Sequence, residues 1–185
     1  MRKIFIDAGG NNGCSVRKFR KKYDERNLYE IYSFEPNEEF FNCYSEFTNH
    51  KLIKSAVWTH DGKLEFYLSK EHDAAGSSLY KDKIDPRYKK SIIVDNGVQI
   101  GCIDFSNWIV KNFNKEDEII LKMDIEGAEY EVLRKMITDG SIEYIDRIYI
   151  EWHYKKIPKV SKQQHLKLIS DIPDEIDISH WDALG

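Results

Sequence analysis

The sequence lacks the features that would indicate a membrane protein, a disulfide-bonded protein or a nucleic-acid-binding protein. It has no apolar run long enough to cross a bilayer and no charged leader followed by an apolar stretch. Its three cysteines, Cys14, Cys43 and Cys102, include no Cys-x-x-Cys pair, so neither a disulfide framework nor a zinc site is indicated. The formal net charge of -4 gives no electrostatic argument for nucleic-acid binding. We therefore expect a cytoplasmic protein with no membrane partner and no nucleic-acid partner.

The chain has the length and the alternating pattern of one α/β domain. Its 185 residues suffice for one buried core, and we predict a single domain over residues 1–185. A first apolar run ends at Asp7, and further strands are predicted over residues 28–35, 51–58, 118–125, 147–153 and 175–181. Helices are predicted over residues 14–25, 38–47, 105–113, 127–138 and 162–169. This order is typical of a doubly wound, mostly parallel sheet.

A glycine-rich turn follows the first apolar run. Its spacing is Asp-x-Gly-x-Asn-x-Gly, from Asp7 through Gly9 and Asn11 to Gly13, which differs from the Gly-x-Gly-x-x-Gly of dinucleotide-binding proteins. Glycine lets the backbone approach a ligand, because a Cβ would clash or forbid a positive φ. The charge of Asp7 at the strand tip suits a cationic group better than a pyrophosphate. An ordinary tight turn is the alternative interpretation.

Ionisable side chains follow the carboxyl ends of four predicted strands. They are Asp7, Glu35, Asp124, and Glu151 or His153. Parallel sheets bind ligands outside these strand ends, so we expect a site at that rim. Glu35 lies about twenty residues beyond the glycine turn, where an acid accepts hydrogen bonds from ribose hydroxyls. The alternative for Glu35 is a solvated carboxylate at a strand end.

A polar stretch over residues 70–90 separates the two halves of this pattern. Residues 63–69 before it alternate like an outer strand, and residues 92–103 after it are predicted to be extended. The polar stretch is interpreted either as a loop over the site or as a solvated surface excursion.

Four segments resemble the FkbM-type methyltransferases in order and spacing. They are Phe-Ile-Asp-Ala-Gly-Gly-Asn-Asn-Gly from Phe5, Phe-Glu-Pro from Phe34, Leu-Lys-Met-Asp-Ile-Glu-Gly-Ala-Glu from Leu121, and Ile-Glu-Trp-His from Ile150. The third is the most specific, and the resemblance covers about residues 4–153. It implies a three-layer, Rossmann-like class I methyltransferase sheet, mostly parallel. The helices that the family usually has before its first strand are missing and the tail after His153 is short, so we expect a shortened N-terminus and a shortened C-terminal tail.

The resemblance also implies S-adenosylmethionine as the cofactor and a position for each part of it. Asp7 holds the amino group, directly or through water, and the glycine turn approaches the methionine part. Glu35 binds the ribose, residues 55–57 lie near the adenine, and Ser77 or Ser78 closes over the carboxylate end. The implied cofactor-binding residues are Asp7, Gly9, Asn11, Asn12, Gly13, Glu35, Pro36, Ser55, Ala56, Val57, Ser77, Ser78 and Asp124.

Asp124, Glu126 and His153 are the candidate catalytic residues. Methyl transfer is an in-line displacement, and a hydroxyl acceptor is a poor nucleophile that a nearby base assists. The structural alternatives are that Glu126 and Glu129 are favourable acids in the first turn of a helix and that His153 is a hydrogen-bonded residue at a strand end. In another interpretation the three side chains bind magnesium or manganese, which would orient and acidify the acceptor hydroxyl.

The resemblance implies O-methylation of a hydroxyl on a small molecule or glycan, with a sugar as the expected acceptor class. A nucleotide-dependent oxidoreductase is one alternative, but the glycine turn does not offer a helix N-terminus cleanly to a pyrophosphate. A catalytically degenerate binding subunit is another, and the short ends of the chain favour it. The sheet edge that a short tail would expose favours a homodimer.

Overall fold

A series of short strands and helices makes up the part of the chain that the computed structural model describes, which is residues 1–69, 76–93 and 97–181. The strands are β1 (Lys3–Ala8), β2 (Glu30–Phe34), β3 (His50–Ile53), β4 (Ala56–Trp58), β5 (Gly62–Phe66), β6 (Ile84–Asp85), β7 (Lys90–Ser91), β8 (Val98–Asp104), β9 (Glu118–Met123), β10 (Arg147–Ile150) and β11 (Asp177–His180). The α-helices are α1 (Cys14–Tyr23), α2 (Phe105–Asn112), α3 (Glu129–Asp139) and α4 (Lys162–Asp171). Within the described ranges, 3₁₀ helices span Glu38–Tyr44 and Ser141–Tyr144.

The main sheet has six strands in the order β11-β10-β9-β1-β2-β3, and every pairing in it is parallel. The chain builds outward from β1 to β2 and β3, and then returns to the other side of β1 to add β9, β10 and β11. Strand order therefore reverses between β1 and β9, which is where open parallel sheets bind their ligands. This arrangement confirms the predicted α/β class and the mostly parallel sheet.

Helices cover both faces of this sheet. Successive residues of β1 point to opposite sides, as the strand pleat requires. Ile4 and Ile6 belong to the large core cluster that includes residues of α2, α3 and α4. Phe5 belongs to the cluster under α1, where its ring stacks on Phe19 with centroids 3.8 Å apart. The two clusters give the three layers of the predicted architecture.

The prediction of one strand over residues 51–58 is wrong. The chain leaves the main sheet after β3, because the Ser55 amide donates to the Ile53 carbonyl across 2.9 Å and makes a tight turn. β4 then enters a second, three-stranded sheet with the order β4-β8-β5. Two polar residues, Lys54 and Ser55, stand at this turn, but no glycine or proline marks it, so the sequence offered only a weak sign of the break.

Two further element boundaries differ from the predictions. The strand predicted over residues 147–153 ends at Ile150, and His153 lies in a turn closed by a 2.8 Å bond from the Lys156 amide to its carbonyl. The helix predicted over residues 38–47 is the 3₁₀ helix Glu38–Tyr44.

Residues 70–75 of the predicted loop over the site lie outside the described residues. No helix in the described ranges is both long and apolar enough to pass through a lipid bilayer.

A buried lysine links β1 to β9 at the reversal point. Lys122 pairs with Asp7 in the β1–β9 register. Its side chain is 1 % exposed, and its Nζ lies 3.2 Å from Asp7 Oδ1 and 3.7 Å from Asp124 Oδ2. The ammonium also donates to the Gly9 carbonyl across 2.6 Å. Burial disfavours the charge of Lys122, but the two carboxylates outweigh it and raise the lysine pKa above its usual value.

The variant Lys122→Met tests how much stability this buried charge provides. Methionine preserves the volume but leaves Asp7 without its cation, so we expect the free energy of unfolding to fall by about 3–5 kcal/mol. Urea denaturation followed by circular dichroism measures the loss. The matched control is Lys115→Met, which removes an exposed ion pair with Glu143 and is expected to cost much less. Equal losses in the two variants would contradict a structural role for the Lys122 charge.

Candidate active site

The glycine turn after β1 lies directly against the end of β9. Gly9 has a φ of +84°, and a Cβ added to it would lie 1.9 Å from the carbonyl oxygen of Asp124. The Gly9 and Gly10 amides both donate to the Phe34 carbonyl, at 3.2 and 3.0 Å. Asn11 follows with a φ of +46°, in the left-handed region that asparagine tolerates better than most residues. The turn is thus held between β2 and β9, and only glycine fits at its first position.

Glu35 lies beside this turn at the end of β2 and is 5 % exposed. Its Oε2 accepts from the Asn11 amide and its Oε1 from the Asn37 amide, each across 2.7 Å. Burial raises the pKa of Glu35 to about 7, although the two amide donors partly offset it. Each carboxylate oxygen keeps a second lone pair, which is available to a ligand hydroxyl.

A cavity of about 290 Å³ opens at this rim and runs from Glu35 to the end of β9. Ten of the residues singled out from the sequence line it: Gly9, Asn11, Asn12, Glu35, Pro36, Ala56, Val57, Ser77, Asp124 and Glu126. Gly76, Ser77 and Leu79 in the lining come from the polar stretch 70–90, so the described end of that stretch covers the site.

Five other residues singled out from the sequence lie outside the cavity lining: Asp7, Gly13, Ser55, Ser78 and His153. Asp7 is fully buried. Its carboxylate forms an ion pair with Lys122 and accepts a hydrogen bond from the Ser33 hydroxyl across 3.4 Å. The Ser78 hydroxyl donates to the Glu126 carbonyl across 2.6 Å. Both side chains therefore support the walls of the site, and direct contact between either one and a cofactor stays a prediction.

The sequence interpretation missed the apolar walls of the cavity. Phe34, Phe40 and Phe66 line it, together with Leu79 and Ile125. Phe66 comes from β5 of the second sheet and Phe40 from a 3₁₀ helix, so elements far apart in the chain supply these rings. The high aromatic content of the sequence was the only available signal, and it does not identify which rings face a ligand.

Glu129 fixes the orientation of His153. Both side chains are fully buried, and Glu129 Oε1 lies 2.5 Å from His153 Nδ1 and accepts from the His153 amide across 3.2 Å. The other oxygen of Glu129 accepts from the Gly127 amide across 2.6 Å. Because the Glu129 carboxylate hydrogen-bonds to Nδ1 of His153, the opposite ring nitrogen, Nε2, points toward the site.

Three carboxylates surround His153 Nε2. Glu126 Oε2 lies at 3.1 Å, Glu151 Oε1 at 3.3 Å and Asp124 Oδ1 at 3.8 Å. Burial alone would lower the pKa of His153, but Glu129 and these acids raise it to about 10. Burial raises the pKa of Asp124 to about 6, and Lys122 partly offsets that effect. An imidazolium therefore lies beneath carboxylates that are 20–33 % exposed.

Lys83 and a strained turn position Glu126. Glu126 has a φ of +56°, which is unfavourable for a side chain with a Cβ, and Gly127 follows with a φ of +112°. The fully buried Lys83 ion-pairs with the Glu126 carboxylate and donates to the Gly76 carbonyl across 2.7 Å. His153 and Lys83 hold the pKa of Glu126 below its usual value, against the effect of burial. Lys83 had no role in the sequence interpretation, because its partners lie more than forty positions away or on its own loop.

Asp124, Glu126 and His153 can each direct one ligand atom to a common point, with all three atoms within 4.8 Å of one another. Asp124 Oδ1 and His153 Nε2 are buried and have no hydrogen-bond partner among the described residues. An oxygen-rich set with one oriented imidazole is chemically suited to magnesium or manganese.

Comparison with known proteins gives one match. The model of the methyltransferase FkbM domain family matches residues 7–177, which is most of the chain. No curated protein and no solved structure gives a significant match. The matched range runs from the end of β1 to the first residue of β11 and contains every candidate site residue.

The protonation of His153 is open to direct measurement. In metal-free buffer we expect the ring to hold both protons at about pH 8, because the surrounding acids raise its pKa. Nitrogen-15 NMR of the imidazole ring measures this. His165 is an internal control, since burial lowers its pKa and keeps it neutral under the same conditions. A neutral His153 ring at that pH would contradict the proposed electrostatics of the cluster.

Proposed function

The chain belongs to the FkbM methyltransferase family, and from that premise we propose that it transfers a methyl group from S-adenosylmethionine to a hydroxyl of a small molecule or glycan. The cofactor lies in the cavity with its ribose at Glu35, and its methyl group is presented beside Asp124. A sugar is the proposed acceptor class, and the cytoplasm is the proposed setting.

The negative charge of the residues that line the cavity is the main support for this proposal. Glu35, Asp124 and Glu126 line it, while no lysine or arginine of the described residues does. S-adenosylmethionine has a cationic sulfonium and an ammonium group, so a wall of carboxylates attracts it. The two phosphates of a nicotinamide dinucleotide would meet the same carboxylates without a compensating cation. The cavity therefore supports the methyltransferase and argues against the nucleotide-dependent oxidoreductase.

In the proposed reaction the ribose of the cofactor lies at the Glu35 end of the cavity, and methyl transfer takes place at the Asp124 end. The acceptor oxygen attacks the methyl carbon while the carbon–sulfur bond breaks, which leaves neutral S-adenosylhomocysteine and releases the hydroxyl proton. Alignment of oxygen, carbon and sulfur supplies much of the rate. Asp124 lines the cavity, and burial raises its pKa to about 6, so we assign its carboxylate as the proton acceptor. His153 Nε2 lies 3.8 Å from that carboxylate and Glu126 lines the cavity beside it, so both can position the acceptor.

Calorimetric titration tests the function first. We expect micromolar binding of S-adenosylmethionine and S-adenosylhomocysteine and no binding of NAD. Binding of NAD alone would replace the proposal with the oxidoreductase. Failure of a folded sample to bind any of the three would favour a degenerate binding subunit.

The role of Glu35 predicts a pH-dependent affinity. The ionised carboxylate accepts the ribose hydroxyls, and with a pKa of about 7 it is mostly protonated below neutral pH. We expect the affinity for 5′-methylthioadenosine to be about tenfold lower near about pH 6 than near about pH 8. This ligand has the ribose but no group that titrates between these values. In Glu35→Gln the affinity is expected to be weak at both, and a pH profile shared by the variant and the wild type would remove Glu35 from the ribose site.

His153→Ala separates catalysis from cofactor binding. His153 lies beneath the acceptor end and outside the cavity lining, so we expect turnover to fall by about a hundredfold while cofactor affinity changes little. Methyl transfer to an accepted sugar, together with calorimetry, measures the two quantities. His165→Ala is the matched control, because that histidine is also buried but hydrogen-bonds to Tyr130 instead of the acids. Equal turnover in the two variants would assign His153 a structural role.

We also propose that Asp124, Glu126 and His153 hold magnesium or manganese, which requires His153 Nε2 to lose its proton. Such an ion would lower the pKa of the acceptor hydroxyl. Lys83 competes for the Glu126 carboxylate, so we expect weak affinity. Titration with Mn²⁺ followed by electron paramagnetic resonance measures binding without turnover, and we expect a saturable site that His153→Ala weakens by about tenfold or more. No bound Mn²⁺ at millimolar concentration would show that the cluster works without a metal.

A further inference from the structure

Two lysine-rich segments flank the candidate catalytic residues. Residues 81–90 contain five basic side chains and two acidic ones, and residues 155–159 contain three basic side chains and no acid. The whole chain has a formal net charge of -4, so this density of positive charge is local. In the described structure the two segments lie next to each other.

Both segments are anchored on the turn that carries Glu126. A Cβ added to Gly127 would lie 2.6 Å from Ile157 and 2.9 Å from the ring of Tyr80, so a residue of each segment, or next to it, packs directly on that glycine. The Ile84 amide donates to the Lys156 carbonyl across 2.9 Å and joins the segments to each other. The positive charge is therefore fixed beside the acceptor end of the site.

Lys156 and Lys159 are two of the basic side chains in these segments. Lys156 Nζ lies 3.9 Å from Glu126 Oε2, and its side chain is 31 % exposed. Lys159 is exposed, its Nζ lies 4.0 Å from the centre of the Tyr80 ring, and no carboxylate of the described residues pairs with it. Lys83 is buried against Glu126, and Arg87 pairs with Asp85, so their charges are already compensated.

Resting on the function proposed above, we propose that the acceptor carries an anionic group, a phosphate or a carboxylate, which Lys156 binds. The hydroxyl of the acceptor then lies at Asp124 and Glu126, and its anionic group lies at Lys156. The partly exposed carboxylates over His153 repel an anion from the hydroxyl position, so the charges favour one orientation. A hydrogen bond between an ammonium and an anionic oxygen is roughly twice as strong as one between neutral groups. The acceptor class is thus a sugar phosphate or a sugar acid rather than a neutral sugar.

Binding of matched sugars to the protein saturated with S-adenosylhomocysteine tests this. The probes are glucose, glucose 6-phosphate and glucuronate, and amide chemical shifts of residues 76–93 and 153–160 report binding. We expect glucose 6-phosphate or glucuronate to bind at least about tenfold more tightly than glucose. Lys156→Gln is expected to remove that advantage, and Lys156→Arg to keep it. Lys111→Gln is the control, because this exposed lysine is in α2, away from both segments.

The outcomes separate this inference from the proposed function. Equal affinity for the charged and neutral sugars, no binding of either anion, or an unchanged preference in Lys156→Gln would overturn the anionic acceptor. If S-adenosylhomocysteine binds in the same sample, the proposed function survives that result. If S-adenosylhomocysteine does not bind but the anions still need Lys156, the cofactor assignment fails while the anion site stands.

Discussion

The buried ammonium of Lys122 is the interaction on which the site depends. A charge in the interior is tolerated only when neighbouring groups satisfy it, and here the neighbours are Asp7, Asp124 and the carbonyl of Gly9. These groups belong to the glycine turn and to the end of β9. The requirement to satisfy one charge therefore sets the relative position of the cofactor turn and the candidate catalytic acid, at the point where strand order reverses.

The remaining buried charges divide the site into two parts with different electrostatics. At one end the amides of Asn11 and Asn37 satisfy Glu35, and none of the described residues forms an ion pair with it that would compete with a ligand hydroxyl. At the other end the acids and His153 share one cluster, which Lys83 connects to the covering loop. A neutral part of a ligand fits the first environment, and a reacting centre that changes charge fits the second.

The sequence could predict the sheet and the rim of the site because parallel strands bring their carboxyl ends together. Glu35 and Asp124 were found in this way, and so was the approach of His153 to Asp124. Other features depend on contacts between side chains that no local pattern records. Glu129 was interpreted only as an acid in the first turn of a helix, yet it orients His153. The charge of Lys122 was visible inside an apolar strand, and its partner Asp7 follows from the β1–β9 register. The turn at Ser55 had only a weak signal in the sequence, since the polar pair Lys54 and Ser55 stands there without glycine or proline.

The left-handed backbone at Glu126 restricts the substitutions that the protein tolerates at that position. A residue with a Cβ in that conformation costs about 1–2 kcal/mol relative to glycine, so position 126 is one where stability and chemistry oppose each other. Glycine there would relax the chain and would leave Lys83 buried without a counter-ion. The carboxylate and the lysine can therefore be exchanged only together. Substitution of only one of the two residues would remove the carboxylate from the site or would leave a buried charge without its counter-ion.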